Sequence, residues 1–235
     1  MAISGVLRPG FIQIRVLDLD TALTHYVDHL GLDKVSQEAD GRVYLKGWDE
    51  FDRHSVILRK DIAPGMDVMG FKVASDADLD SFEKRITDWG VAVDHVPAGE
   101  QPGMGRRIGF MLPSGHRIEL YAEVELAAKH PPVLNPDMWG DLPRGMKATR
   151  FDHALLYGPD IDKVQAFFEE CLDFKCAEKV MLPDGLLAIW LTSSNKAHDI
   201  AFVKHPEPGK FHHAAFFLES WNDIGHAADL MTRYG

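Results

Sequence analysis

Only two cysteines occur among 235 residues, Cys171 and Cys176. Two thiols so close in sequence make neither a disulfide framework nor a thiolate metal site, and a reducing, cytoplasmic setting fits such sparse use. No apolar run approaches the ~18 residues that a membrane span requires. The opening stretch MAISGVLRPGFIQIRV has no basic n-region, apolar h-region or cleavage signal, so no secretory peptide is read there. Basic residues are outnumbered, 25 Lys and Arg against 36 Asp and Glu, and the formal charge of −11 argues against a nucleic-acid or acidic-membrane surface. What is present is ordinary for a globular chain: 46% apolar and 26% charged residues. The length suits two domains of roughly 100–150 residues each.

The chain repeats itself. Phe11–Val35 reads FIQIRVLDLDTALTHYVDHLGLDKV, and Phe151–Val180 reads FDHALLYGPDIDKVQAFFEECLDFKCAEKV. Each begins as a short apolar strand and passes an Asp that can cap a helix, Asp20 or Asp162. Each continues with apolar residues at helical spacing, over Ala22–His29 and Val164–Cys171. A second pair, Val68–Gly90 and His213–Gly235, matches without a gap at an offset of 145 residues. The spacing therefore predicts an α+β fold of four strand–helix–strands modules, taken as paired βαβββ units in two similar domains.

Arg107–Glu123 closes the first pair with two strands joined by a Pro-Ser-Gly turn. The second pair has no such closure before Gly235, so the fourth module is read as incomplete and the sequence as cut short. The Pro- and Gly-rich stretch Lys129–Lys147 reads as a linker. The expected organisation is an N-terminal domain over 1–128, a linker over 129–147 and a C-terminal catalytic domain over 148–235.

Twelve histidines are present, and three stand out by position. His153 lies in the first strand of the third module, and His213 at the equivalent point of the fourth. His198 is expected to open a further strand, HDIAFV. The repeat is its own control, because Gln13 and Val68 occupy the positions matching His153 and His213. An imidazole pointing from a strand into a cavity suits iron or zinc, and two His plus one carboxylate is the ligand set of non-haem iron oxygenases. Carrying Glu119 forward by the same offset puts that carboxylate near position ~264, past Gly235. Glu119 itself is read as structural, His212 as facing away from the ligand side, His205 as an exposed turn residue and Asp199 as capping a turn.

The segments RFDHALLYGPDI, WLTSSNKAHDIAFV and FHHAAFFLESWNDIGHAADLM, with GFMLPSGHRIELYAE in the first half, resemble extradiol ring-cleaving dioxygenases of the catechol 2,3-dioxygenase type. These belong to the vicinal oxygen chelate superfamily, and the resemblance covers essentially the whole chain. It implies that His153 and His213 are Fe(II) ligands, that His198 is the acid–base group beside bound oxygen, and that Trp190 lines the substrate pocket. It further implies a catechol and dioxygen as partners, 2-hydroxymuconic semialdehyde as product, and a homo-tetramer. The chain as written is expected to lack the third ligand and so to bind iron weakly. Two other classes use such modules: metal-dependent glyoxalase-type isomerases and non-catalytic proteins that sequester small molecules. Histidine at the two matched strand positions in the second half alone, and His198 beside those positions, weigh against both.

Overall fold

A computed structural model of the chain describes residues 4–127 and 143–234. The first module holds β1 (Val6–Val16), α1 (Leu19–Leu23), β2 (Asp33–Gln37), β3 (Val43–Lys46) and β4 (Val56–Lys60). The second holds β5 (Gly65–Val73), α2 (Asp76–Asp88), β6 (Val93–Val96), β7 (Arg107–Met111) and β8 (Arg117–Tyr121). The third holds β9 (Arg150–Gly158), α3 (Ile161–Leu172), β10 (Lys175–Leu182), β11 (Gly185–Thr192) and β12 (Ile200–Lys204). Of the fourth, β13 (Lys210–Phe217) and α4 (Trp221–Tyr234) are present.

The three full modules share one strand order. It runs β2-β3-β4-β1, β6-β7-β8-β5 and β10-β11-β12-β9, with antiparallel neighbours except for a final parallel pair. A parallel pair cannot be joined by a hairpin, so each module's helix serves as the start of its crossover. This is the βαβββ unit that the repeats predicted.

Two details differ from expectation. The helix N-caps are Asp18 and Asp160, each two residues earlier than anticipated. Asp18 is extended and its carboxylate accepts the Thr21 N–H at 2.8 Å, whereas Asp20 is already inside the first turn, where its charge suits the helix dipole. The first helix also widens over Thr24–His29, where the Leu30 N–H reaches the His25 carbonyl at 2.9 Å.

The chain forms two compact units. One draws on the stretch up to Gly10, on Gly65–Val124 and on His153–Ala214. Its core is aromatic: Phe71, Phe168 and Phe174 meet edge to face, with centroids 4.9 Å apart for Phe168–Phe174 and 5.4 Å for Phe71–Phe174. α3 supplies Ile161, Val164, Phe167, Phe168, Cys171 and Leu172 from a single face, as its periodicity requires. Each such Phe or Leu contributes roughly 1.5–3 kcal/mol by leaving water. α2 and α3 are fastened by Arg85, which grips both Asp173 oxygens at 2.6 and 2.7 Å. Both cysteines are free thiols, and burial pushes Cys171 up to about 11.

The other unit draws on Phe11–Pro64, on the described part of 125–152 and on Ala215 onward. Its β3–β4 loop is fastened by Glu50, which accepts the Phe151 N–H at 3.0 Å on one oxygen and the Ser55 hydroxyl and Gly47 N–H on the other. Burial raises this carboxyl, while those hydrogen bonds pull it back down. Most of the expected linker, through residue 142, lies outside the described residues.

Candidate metal centre

All the candidate residues fall in the first unit. Strand β9 alternates cleanly. Ala154, Leu156 and Gly158 are buried, while His153, Leu155 and Tyr157 are half-buried on the opposite face. The parallel register pairs Leu155 with Ala201, and the next pairs Ala201 with Trp190. Cross-strand partners share a face, so Trp190 lies on the His153 side of the sheet.

His153 sits at the middle of a histidine cluster. Its ring centroid is 4.1 Å from that of His198 and 5.7 Å from that of His213. His198 is not in a strand, contrary to expectation: β12 begins at Ile200, and His198 ends the preceding bend. Asp199 explains that bend. Its buried Oδ2 accepts the Ser193 N–H at 2.8 Å and the Ser193 and Thr192 hydroxyls at 3.1 and 3.2 Å, so it caps the turn as expected. The strand starts only after that turn closes, and His198, just before it, lies against His153.

His213 occupies a half-buried position on β13, while its neighbour His212 is exposed. The two are nonetheless joined, with Nδ1 atoms 2.6 Å apart, so His212 is more than a residue on the far side of the strand. Burial first, and then the neighbouring His212 and His153 charges, hold His213 below the usual histidine range. A neutral imidazole is the form that binds a metal. His205, expected in solvent, is half-buried and stacks on Tyr157 at 5.9 Å. Tyr157 also meets the His212 ring at 4.9 Å. Sequence reasoning passed over Tyr157, although its place four residues after His153 on a strand was signal enough for a shared face.

Two imidazoles that bind one ion, each at about 2.1 Å, have ring centres roughly 4.5–6 Å apart. The His153–His213 spacing fits. Among the described residues no group of three His, Cys, Asp or Glu side chains is gathered closely enough to hold a metal. Glu119, the carboxylate at the equivalent strand of the second module, is instead buried against Arg107 at 2.7 Å and Arg117 at 3.1 Å. Its place in the fold is structural.

A thrice-repeated βαβββ order with a fourth unit begun after it defines a protein of the vicinal oxygen chelate fold. Sequence comparison agrees and is more specific. Residues 66–125 match the catechol 2,3-dioxygenase-like N-terminal domain, and residues 150–235 match the glyoxalase/bleomycin resistance protein/dioxygenase superfamily. The metapyrocatechase of Pseudomonas sp. (strain CF600) is 48% identical over 97% of this chain and 75% of its own length. A manganese-dependent 2,3-dihydroxybiphenyl 1,2-dioxygenase of Geobacillus genomosp. 3 is 25% identical over 97% of this chain and 74% of its own. The crystal structure of the 2,3-dioxygenase LapB from Pseudomonas sp. KL28 superposes with a TM-score of 0.93 at 42% identity, over 99% of this chain and 82% of that one. The chain belongs to the metapyrocatechase family of extradiol ring-cleaving dioxygenases. The relatives imply a catalytic metal, a small-molecule substrate and dioxygen.

Proposed function

We propose that this enzyme cleaves catechol or an alkylcatechol beside its diol with dioxygen, giving a 2-hydroxymuconic semialdehyde, at an Fe(II) centre held by His153 and His213. The observation that carries this reading is the His153–His198–His213 ring cluster of a chain so similar to a metapyrocatechase. When bound, ferrous iron supplies a site for both catechol oxygens and for dioxygen, and a path for electrons between them. His153 and His213 hold it as neutral donors from neighbouring strands. His198, beside His153 and not restrained by a strand ladder, takes one catechol hydroxyl proton as a base and returns it to the developing oxygen anion as an acid. The net reaction inserts both atoms of dioxygen, so no external reductant is required. Trp190, on the His153 face, packs the aromatic ring and excludes water.

The isomerase and sequestering readings are not favoured, since the relatives named above are dioxygenases. The repeat supports reading 1–128 and 148–235 as two domains flanking a linker, the second being catalytic. A homo-tetramer and a cytoplasmic location complete the proposal; no helix among the described residues is long and apolar enough to cross a membrane.

Reconstitution tests the metal. The gene product, expressed from its own start to its own stop codon, is stripped and reloaded without air using Fe(II), Mn(II) or Zn(II). Catechol is then added and air admitted. Yellow ring-cleavage product with Fe(II) alone is expected. Product with Mn(II) at equal rate would reassign the metal, and none with any of the three would overturn the activity.

A further inference from the structure

The Pro-Ser-Gly turn between β7 and β8 has no part in the chemistry above, yet the histidine that follows it, His116, is only 2% exposed. His116 Nε2 lies 3.0 Å from the Lys210 carbonyl, and its Nδ1 lies 3.0 Å from Ser114 Oγ. A carbonyl can only accept, so Nε2 carries the proton and Nδ1 accepts from the serine hydroxyl. Lys210 is the first residue of β13 and stands three before His213. The same turn is fastened elsewhere. Gly209 donates its N–H to the Ser114 carbonyl at 2.9 Å, and a Cβ at Gly115 would lie 2.6 Å from Pro208 Cβ. A Cβ at Gly158 would lie 2.6 Å from the Ser114 carbonyl oxygen. Gly158 ends β9, the strand that carries His153. One turn of the second module therefore abuts the end of one histidine strand and the beginning of the other.

We propose that His116 is a positioning residue for the metal centre: by tying the Ser114–His116 turn to Lys210, it fixes where β13 starts relative to β9, and so how far His213 reaches toward the ion His153 also holds. The inference rests on the two-histidine reading above. Groups that orient metal ligands without touching the metal matter because a ligand strand displaced by a fraction of an ångström no longer meets the ion at bonding distance. The bond to Nδ1 also ties two buried groups, Ser114 and His116, so its loss leaves the Ser114 hydroxyl without this partner inside the fold.

The test uses the iron-loaded gene product and three variants. The rate of iron loss to excess ferrous chelator is followed together with the thermal midpoint and with KM and kcat for catechol. His116→Leu, which fills the space without either bond, should lose iron about tenfold faster than wild type. His116→Gln, which keeps an N–H toward Lys210, should stay within about threefold, and KM should move less than kcat. Iron loss from His116→Leu at the wild-type rate, even with a lowered midpoint, would make His116 merely structural and overturn the proposal. Equal loss from His116→Gln and His116→Leu would do the same. If His116→Leu does not fold, Ser114→Ala, which frees Nδ1 alone, should speed iron loss about threefold, and no change there overturns the proposal. A wild-type enzyme that holds no divalent metal would instead sink the reading of His153 and His213 as ligands, and this inference with it.

Discussion

Protonation state decides what each histidine of the cluster can do. A ligand must be neutral and keep one ring nitrogen free, whereas an acid–base group must gain and lose its proton during turnover. His153→Ala and His213→Ala should therefore abolish both metal retention and ring cleavage, read by metal analysis and by the yellow product. His198→Gln should keep its metal and lose about 10²–10⁴ in kcat, the usual reach of general acid–base catalysis. His116 gives a pH dependence that stability measurements can see. Burial holds it below the usual histidine value, partly offset by its hydrogen bond to Lys210. As pH falls through about 6.5, the unfolded chain takes up a proton that the folded one resists, so this group lowers stability as pH falls. The urea midpoint between neutral pH and about pH 5 should fall less steeply in His116→Gln than in wild type. A steeper fall in the variant would contradict the buried neutral assignment.

Elements were the most legible scale, because their signals are local. The offset between Val68–Gly90 and His213–Gly235 revealed the modules, and the positions of His153 and His213 followed from it. The start of β12 was misread because Asp199 caps a turn that consumes the first residues of HDIAFV, and a side-chain cap leaves no mark on hydrophobic alternation. The cap at Asp18 rather than Asp20 is fixed by the extended backbone at Asp18, which the sequence does not display. The His116–Lys210 bond spans 94 residues and no pattern announces it. Two substitutions probe these elements. Gly115 has φ +82°, a conformation that disfavours any side chain, and Gly115→Ala should cost about 1–3 kcal/mol in chemical unfolding. Glu119→Ala should cost about 1–3 kcal/mol, since it removes the buried carboxylate beside Arg107 and leaves that guanidinium only its partly exposed partner Glu100.

At the scale of the whole molecule the sequence was least informative. The division at Lys129–Lys147 is read from composition and the repeat, while the compact units draw on stretches of several modules, and such interleaving depends on long-range contacts that no local period encodes. The net charge of −11 has a functional corollary. Catechol is neutral near pH 7, so its approach is not steered, and kcat/KM should change less than about twofold up to roughly 0.3 M salt. A steep salt dependence would point to an ionic substrate instead. The central claim, that this molecule opens a catechol ring beside the diol by inserting dioxygen, is tested most directly by one turnover of the iron-loaded enzyme under ¹⁸O₂. The account predicts 2-hydroxymuconic semialdehyde with both labelled atoms incorporated. Muconate from cleavage between the hydroxyls, or product carrying oxygen from water at the moment of quenching, would contradict it.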